Sequence, residues 1–146
     1  MLRNIVLVIA IAFAGGIAVG VQAPLSGAMG QRIGALESAF IIHLGGAIFA
    51  GILLLFGRNG QLGAWQTVPW YMLCAGALGI IVVGSMTFTI PRLGAALAVT
   101  LLVLAQMVVS LTLDHFGWLG VAVRPVDLLR LSGVVVLVFG AWLIAQ

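Results

Sequence analysis

The sequence predicts an all-α integral membrane protein with five transmembrane helices. Three observations predict it: 64% of the 146 residues are hydrophobic, only nine are charged, and the apolar residues fall into five runs separated by polar, Pro or Gly punctuation. A soluble domain of this length carries about 36 charged side chains at the usual quarter of composition, and nine cannot clothe a globule. The mean hydropathy of +1.33 and the twenty glycines exclude a water-soluble enzyme, a disordered tail and a nucleic-acid module. The pI near 10.6 reflects a surplus of only three positive charges, and six dispersed arginines make no basic patch for nucleic acid. The one cysteine, Cys74, stands in an apolar run, so disulfide frameworks and Cys-rich metal sites are excluded together.

A bilayer core of about 30 Å takes roughly 20 apolar residues per helix. The first span is expected over 4–22, with Arg3 before it and Pro24 as its stop. The second covers 37–56; Glu37 and Ser38 open it, and Gly57, Arg58, Asn59 and Gly60 mark a turn after it. The third covers 70–90, with Trp65, Trp70 and Tyr71 at its entrance, where amphipathic rings favour the headgroup layer. Pro91, Arg92, Leu93 and Gly94 form a very short connection to the fourth, 95–113, which Asp114, His115 and Phe116 close. A loop over 117–127 leads to the fifth, 128–145, so that 1–146 reads as a single membrane domain with no room for a soluble one. The amino end imitates a signal peptide, with Arg3, an apolar stretch and small residues up to Ala23. Pro24 would fall just after the cleavage point and the segment is long enough to span, so it reads as a retained helix.

Arginines near helix ends set orientation. With five spans, the amino-terminal side holds Arg3, Arg58, Arg124 and Arg130, and the opposite side holds Arg32 and Arg92. That difference favours the amino end in the cytoplasm, yet it is small enough for insertion in both orientations. Arg32-Ile33-Gly34-Ala35 recurs as Arg92-Leu93-Gly94-Ala95 sixty residues later, and Gly16 to Gly20 is loosely echoed by Gly79 to Gly84. The recurrence reads either as a two-helix duplication, of the kind transporters use around their substrate sites, or as one good short turn used twice.

Four stretches together resemble a known family: Gln22-Ala23-Pro24-Leu25 leading to Arg32-Ile33-Gly34; Pro91-Arg92-Leu93-Gly94-Ala95-Ala96; Gln106 through Ser110 to Asp114-His115-Phe116-Gly117-Trp118; and Arg124-Pro125 leading to Arg130 and Gly133. The chain resembles, over essentially its whole length, a small five-helix, exporter-like family of the drug/metabolite transporter superfamily. The resemblance implies a transporter whose members occur as single dual-topology proteins, as gene pairs and as fused ten-helix chains, which fits the nearly balanced arginines. It also directs attention to Gln22 and Ser26, although Ser26 stands where the family more often shows Asn. The small multidrug exporters of the same superfamily carry a carboxylate in the middle of the first helix; here 5–21 is wholly apolar, so that proton-for-cation exchange is not available.

The remaining polar residues sort by depth. Gln106, Ser110 and Asp114 are spaced by four on the fourth span and share a face. An unpartnered amide or hydroxyl in hydrocarbon costs on the order of several kcal/mol, so this stripe should face protein or a wet cavity; it either lines a substrate path or ties one helix to another. His43 lies two turns into the second span, with Glu37 near its start. Ionisable groups inside membranes are functional candidates and histidine changes charge near neutral pH, so proton coupling would use His43; the plainer readings are an interhelical hydrogen bond for His43 and a helix-dipole carboxylate for Glu37. Asp114 and His115 point about 100° apart as helix neighbours and fit capping and loop anchoring. Asp127 fits a helix cap, with Arg130 pairing to it or reaching outward. Gly16 with Gly20, Ala75 with Gly79, and Gly133 with Gly140 mark close-packing faces. The stretch 24–34 reads as a plain loop or as an irregular segment lining a cavity.

Five helices are few for a two-gated path, and an odd span number makes an antiparallel pair a natural inverted repeat. The expectation is a small-solute transporter, exporter-like, using alternating access in a ten-helix antiparallel homodimer in the plasma or inner membrane. Its partners would be a small or hydrophobic solute, lipid and protons, with no cofactor, metal or nucleic acid. The first four spans should line the cavity and the fifth should be peripheral. The competing reading is an accessory or structural membrane protein that packs against a partner and moves nothing. An enzyme is disfavoured: Glu37, Asp114 and Asp127 are the only carboxylates, no two lie four residues apart, and no metal-type cluster exists.

Overall fold

A computed structural model describes residues 2–57 and 60–146, with side chains from Ile5 onward. The side chain of Arg3 and the Arg58-Asn59 part of the predicted turn lie outside the described residues. The described backbone is helical over most of its length: α1 (Leu2–Ile33), α2 (Ala35–Phe56), α3 (Trp70–Leu73), α4 (Ala75–Leu93), α5 (Ala95–Phe116) and α6 (Leu128–Ile144), with 3-10 turns at Leu62–Thr67 and Trp118–Gly120. Among the described residues, four stretches are long and apolar enough to cross a membrane, Ile5–Ile33, Ala35–Phe56, Trp70–Leu93 and Ala95–Phe116; Leu128–Ile144 is a shorter apolar helix. At 1.5 Å per residue the 17 residues of α6 reach about 25 Å, a little short of a hydrocarbon core of about 30 Å.

The largest departure from the sequence reading is α1. The expected stop at Pro24 does not occur; Pro24 stands inside a helix of 32 residues, about 48 Å long at the same rise. The stretch 24–34, read as a loop or irregular segment, is helix up to Ile33. Proline removes one N–H and crowds the carbonyl four residues back, which is Gly20, where no side chain adds to the crowding. Membrane helices tolerate such a break, and α1 continues through it to Ile33. The expected connection over 91–94 shrinks in the same way, since α4 continues through Pro91 to Leu93. The fourth span runs to Phe116 rather than 113, the second starts at Ala35 rather than Glu37, and the third is broken at Cys74 between α3 and α4.

What joins α1 to α2 and α4 to α5 is one glycine each. Gly34 (φ 105°, ψ 155°) and Gly94 (φ 79°, ψ 160°) occupy a backbone region open to glycine alone. Each carbonyl then accepts the first hydrogen bond of the following helix, from Ser38 N–H at 3.1 Å and from Ala98 N–H at 3.2 Å. That shared requirement accounts for the glycine in each copy of Arg-x-Gly-Ala.

By its internal contacts the chain divides into two compact units, Met1–Arg92 and Leu93–Gln146. The core of the first is built from small residues: Ala23, Ser26, Ser38, Ala39, Met86 and Thr87 are buried. Ser38 Oγ donates to the Ser26 carbonyl at 3.2 Å, Thr87 Oγ1 donates to the same carbonyl at 3.4 Å, and the Ser26 and Thr87 hydroxyls lie 3.4 Å apart. α1, α2 and α4 thus meet at one carbonyl. Small residues permit this approach: the Thr87 side chain fills the place of a side chain at Gly30, and Ile90 packs on Gly27. In the second unit α5 packs along α6, and Gly117 ends α5 in the left-handed region at φ 65°, the usual device for stopping a helix. Gly16 and Gly20, read as a packing face, meet nothing within 4 Å in the single chain.

Gly30→Ala should lower the stability of the purified protein by about 1–3 kcal/mol, the usual cost of overpacking, because Thr87 cannot rotate away without losing its bond to Ser26. Gly84→Ala, where nothing lies within 4 Å, should be neutral or slightly stabilising through helix propensity. Thermal unfolding followed by circular dichroism in mild detergent separates the two outcomes; equal losses would place the tight contact elsewhere.

Candidate functional site

Three polar residues of the second unit, Ser110, Asp114 and Arg130, line one cavity of about 350 Å³ between α5 and α6. Its walls are Met107, Leu111, Val134 and Leu137, Gly133 opens room beside them, and Ser110, Asp114 and Arg130 supply the polar edge. Each helix contributes positions i, i+3, i+4 and i+7, the set that forms one face of a 3.6-residue helix. Arg130 Nη1 donates to Asp114 Oδ2 at 3.5 Å and to the Arg124 carbonyl at 3.2 Å. Both side chains of this ion pair are about one-third exposed.

The segment after α5 anchors the pair. Arg124 N–H donates to the Asp114 carbonyl at 2.8 Å, and Val126 N–H donates to His115 Nδ1 at 3.1 Å. Phe116 stacks on Trp118 with ring centroids 4.9 Å apart. Asp127 caps α6, its Oδ1 accepting the Arg130 N–H at 2.8 Å. The cap and the loop-anchoring role of Asp114 and His115 are therefore as the sequence suggests, whereas the Arg130 guanidinium pairs with Asp114 and not with Asp127. The reason is directional: α6 residues three apart lie on one face, but Asp127 is already turned back onto the backbone it caps. α6 supplies half of this cavity's lining.

In the first unit, His43 is half-buried on α2. Its Nδ1 donates to the Ala39 carbonyl four residues back at 2.7 Å, so the ring bonds its own helix instead of a neighbour. That bond leaves Nε2 facing Gly79 of α4, whose missing side chain makes room for the ring. Glu37 is exposed in the first turn of α2, folded against Gly34, the placement a helix dipole favours. Ser26 is buried in the three-helix junction, and Gln22 is exposed on α1. A groove of about 460 Å³ lies along Gly30, Gln31, Thr87 and Arg92; the Arg92 guanidinium sits 3.6 Å from the centre of the Phe88 ring and donates to the Phe88 carbonyl at 2.6 Å.

Of the seven residues singled out from the sequence, then, Ser110 and Asp114 share a cavity. Gln106 is exposed on α5 outside it, and Gln22, Ser26, Glu37 and His43 belong to the first unit. Arg130 and Gly133 were missed as lining residues; their spacing of three on an apolar helix is the signal that could have found them. No group of three or more His, Cys, Asp or Glu among the described residues could hold a metal ion.

Residues 7–143 match the model of a family described as "Putative inner membrane exporter, YdcZ". The chain is 30% identical over 143 residues to the inner membrane protein YdcZ of Escherichia coli (strain K12), an alignment covering 96% of this chain and 95% of that protein. No solved structure matches the chain. The chain belongs to the YdcZ family of inner membrane proteins, and it is a multi-pass protein of the inner membrane.

Asp127→Ala should cost about 1 kcal/mol of stability, the typical loss for a removed cap. Asp114→Asn should cost less, because a partly exposed ion pair contributes about 0–1 kcal/mol. Parallel thermal unfolding of the two variants checks the order; a larger loss for Asp114→Asn would make the pair a structural element first.

Proposed function

We propose that this member of the family is an exporter-like transporter of a small, hydrophobic or weakly polar solute. In this reading it works by alternating access as an antiparallel ten-helix homodimer whose two copies are inserted in opposite orientations. The observation that carries it is the α5–α6 cavity, which brings Ser110, Asp114 and Arg130 together inside an otherwise apolar helix pair. Asp114 stands in the last turn of α5 and Arg130 in the first turn of α6, and a cavity lined mostly by apolar side chains with a few convergent polar ones has the make-up of a ligand site.

The dimer is supported by what a single chain leaves uncovered. Gln106 sits midway along α5 and is exposed; an amide in hydrocarbon without a partner costs on the order of several kcal/mol, and a second copy is the simplest cover for it. Gln22 and the open Gly16–Gly20 face of α1 fit the same role. The weak arginine bias supports insertion both ways, and an odd number of spans turns that into an inverted repeat. Ser110 and Asp114 are the path residues of this reading and His43 is its proton site, with Nε2 available at Gly79. Ser26 holds the α1–α2–α4 junction, and Glu37 holds the start of α2.

Orientation tests the dimer directly. In a Cys74→Ala background, Gln61→Cys or Gln146→Cys should each be about half accessible to an impermeant thiol reagent on intact cells; all-or-none labelling at each site would overturn the dual-topology assembly. Proteoliposomes test transport: solute flux driven by a pH gradient should fall at least about tenfold in Asp114→Asn, and His43→Gln should abolish its response to the gradient while leaving downhill flux. Absence of any flux across a panel of solutes would favour the accessory-protein reading.

A further inference from the structure

The cavity between α5 and α6 carries one carboxylate and one guanidinium on apolar walls, and we propose that this balance makes it select amphiphiles without net charge, neutral or zwitterionic, over organic cations and anions. The proposal names the solute class of the site described above and takes its biological meaning from the transport reading. Three observations support it. First, the pair is held by one long contact, Nη1 to Oδ2 at 3.5 Å. A guanidinium has five N–H donors and a carboxylate two acceptor oxygens; Nη1 alone donates among the described contacts, to Asp114 and to the Arg124 carbonyl. A guest can therefore accept from Arg130 and donate to Asp114 without breaking the pair.

Second, the charges around the cavity are matched as well. Arg124 is balanced in number by Asp127, and Asp127 is engaged with the α6 backbone. His115 is engaged as well, its Nδ1 accepting the Val126 N–H. Among the described residues, the charged side chains of this helix pair and its loop are thus two of each sign, Asp114 and Asp127 with Arg124 and Arg130. A net charge placed between Met107, Leu111, Val134 and Leu137 gives up water and meets one like charge for each opposite one in the Asp114–Arg130 pair. Third, a volume of about 350 Å³ lies at the small end of ligand pockets, about 300–1,000 Å³, and Ser110 offers a hydroxyl one turn from Asp114 that can orient an uncharged polar end.

The test is a charge switch read by binding. The protein in nanodiscs is titrated with three fluorescent amphiphiles of similar size, N-phenyl-1-naphthylamine (neutral), 8-anilinonaphthalene-1-sulfonate (anionic) and ethidium (cationic), with partitioning into empty nanodiscs subtracted. The unsubstituted protein should bind the neutral probe at least about tenfold tighter than either ion, since each ion meets a like charge in the cavity. Asp114→Asn should shift preference toward the anion and Arg130→Gln toward the cation, and the two changes together should restore the neutral preference. Ser110→Asp and Ser110→Lys add a charge with the pair intact and should move selectivity toward cation and anion respectively, which keeps the test decisive if a pair variant fails to fold. A preference of the unsubstituted protein for either ion, or variants that change all three probes alike, would overturn the proposal. Because the readout is binding without flux, a protein that shows the charge switch yet moves no solute counts against transport and leaves the selectivity standing.

Discussion

Hydrocarbon offers no hydrogen bonds, and the partner that every polar atom must therefore find inside the protein orders this structure at each level. For the backbone the answer is the helix, which satisfies N–H and C=O within one segment, and the chain interrupts it sparingly. Two of the connections are a single glycine. The hydroxyls follow the same rule: Ser85, Thr89, Thr100, Thr112 and Ser132 each donate to a carbonyl three or four residues back in their own helix. Arg92 and His43 do likewise through their nitrogens. Among the described residues no buried side-chain nitrogen or oxygen lacks a partner.

This constraint separates polar residues that only need hiding from those brought together. A threonine bonded to its own helix is silent toward its neighbours and leaves an apolar outer surface for lipid. The Ser26–Ser38–Thr87 junction differs, because hydroxyls of α2 and α4 both reach one α1 carbonyl, two residues beyond Pro24. Lipid is as apolar as a leucine side chain, so burying apolar area holds membrane helices together weakly; close approach and such bonds do more. The first unit accordingly has a core of Ala, Ser, Thr and Met where a soluble protein would place Leu and Phe, and its large apolar side chains are exposed. In the second unit the polar atoms that could have been hidden are instead aimed at each other across α5 and α6, at the edge of a cavity.

The site was partly legible. Ser110 and Asp114 announce themselves as polar residues four apart on an apolar helix. Gln106 looked like a third member and is not, because each step of four overshoots a turn by about 40° and two steps carry Gln106 about 80° away from Asp114. Met107, seven residues before Asp114, is only about 20° off its line and lies in the wall. The same periodicity on α6 brings in Arg130, Gly133, Val134 and Leu137. Pairing Arg130 with Asp114 could not be read from either helix alone; local spacing pointed to Asp127, three residues away, and the contact with Asp114 depends on how the Gly117 turn and the 118–127 segment return the chain.

Composition and periodicity by themselves determined the class of this protein: a chain with nine charges and five apolar runs has to be a bundle of membrane helices, and glycine at 34 and 94 has to be a turn, since these are consequences of solvation and of backbone sterics acting locally. Asp127 as a cap belongs to the same group. Tertiary structure decided what local rules leave open. The Ser26 carbonyl became a junction of three helices because hydroxyls from α2 and α4 reach it, from 12 and 61 residues away in sequence. Gly79 acquired its meaning from the His43 ring of another helix, and α6 became half of a cavity because its face meets that of α5. In each case the deciding energy lies in contacts between segments distant along the chain, and residue order along one helix carries no record of them.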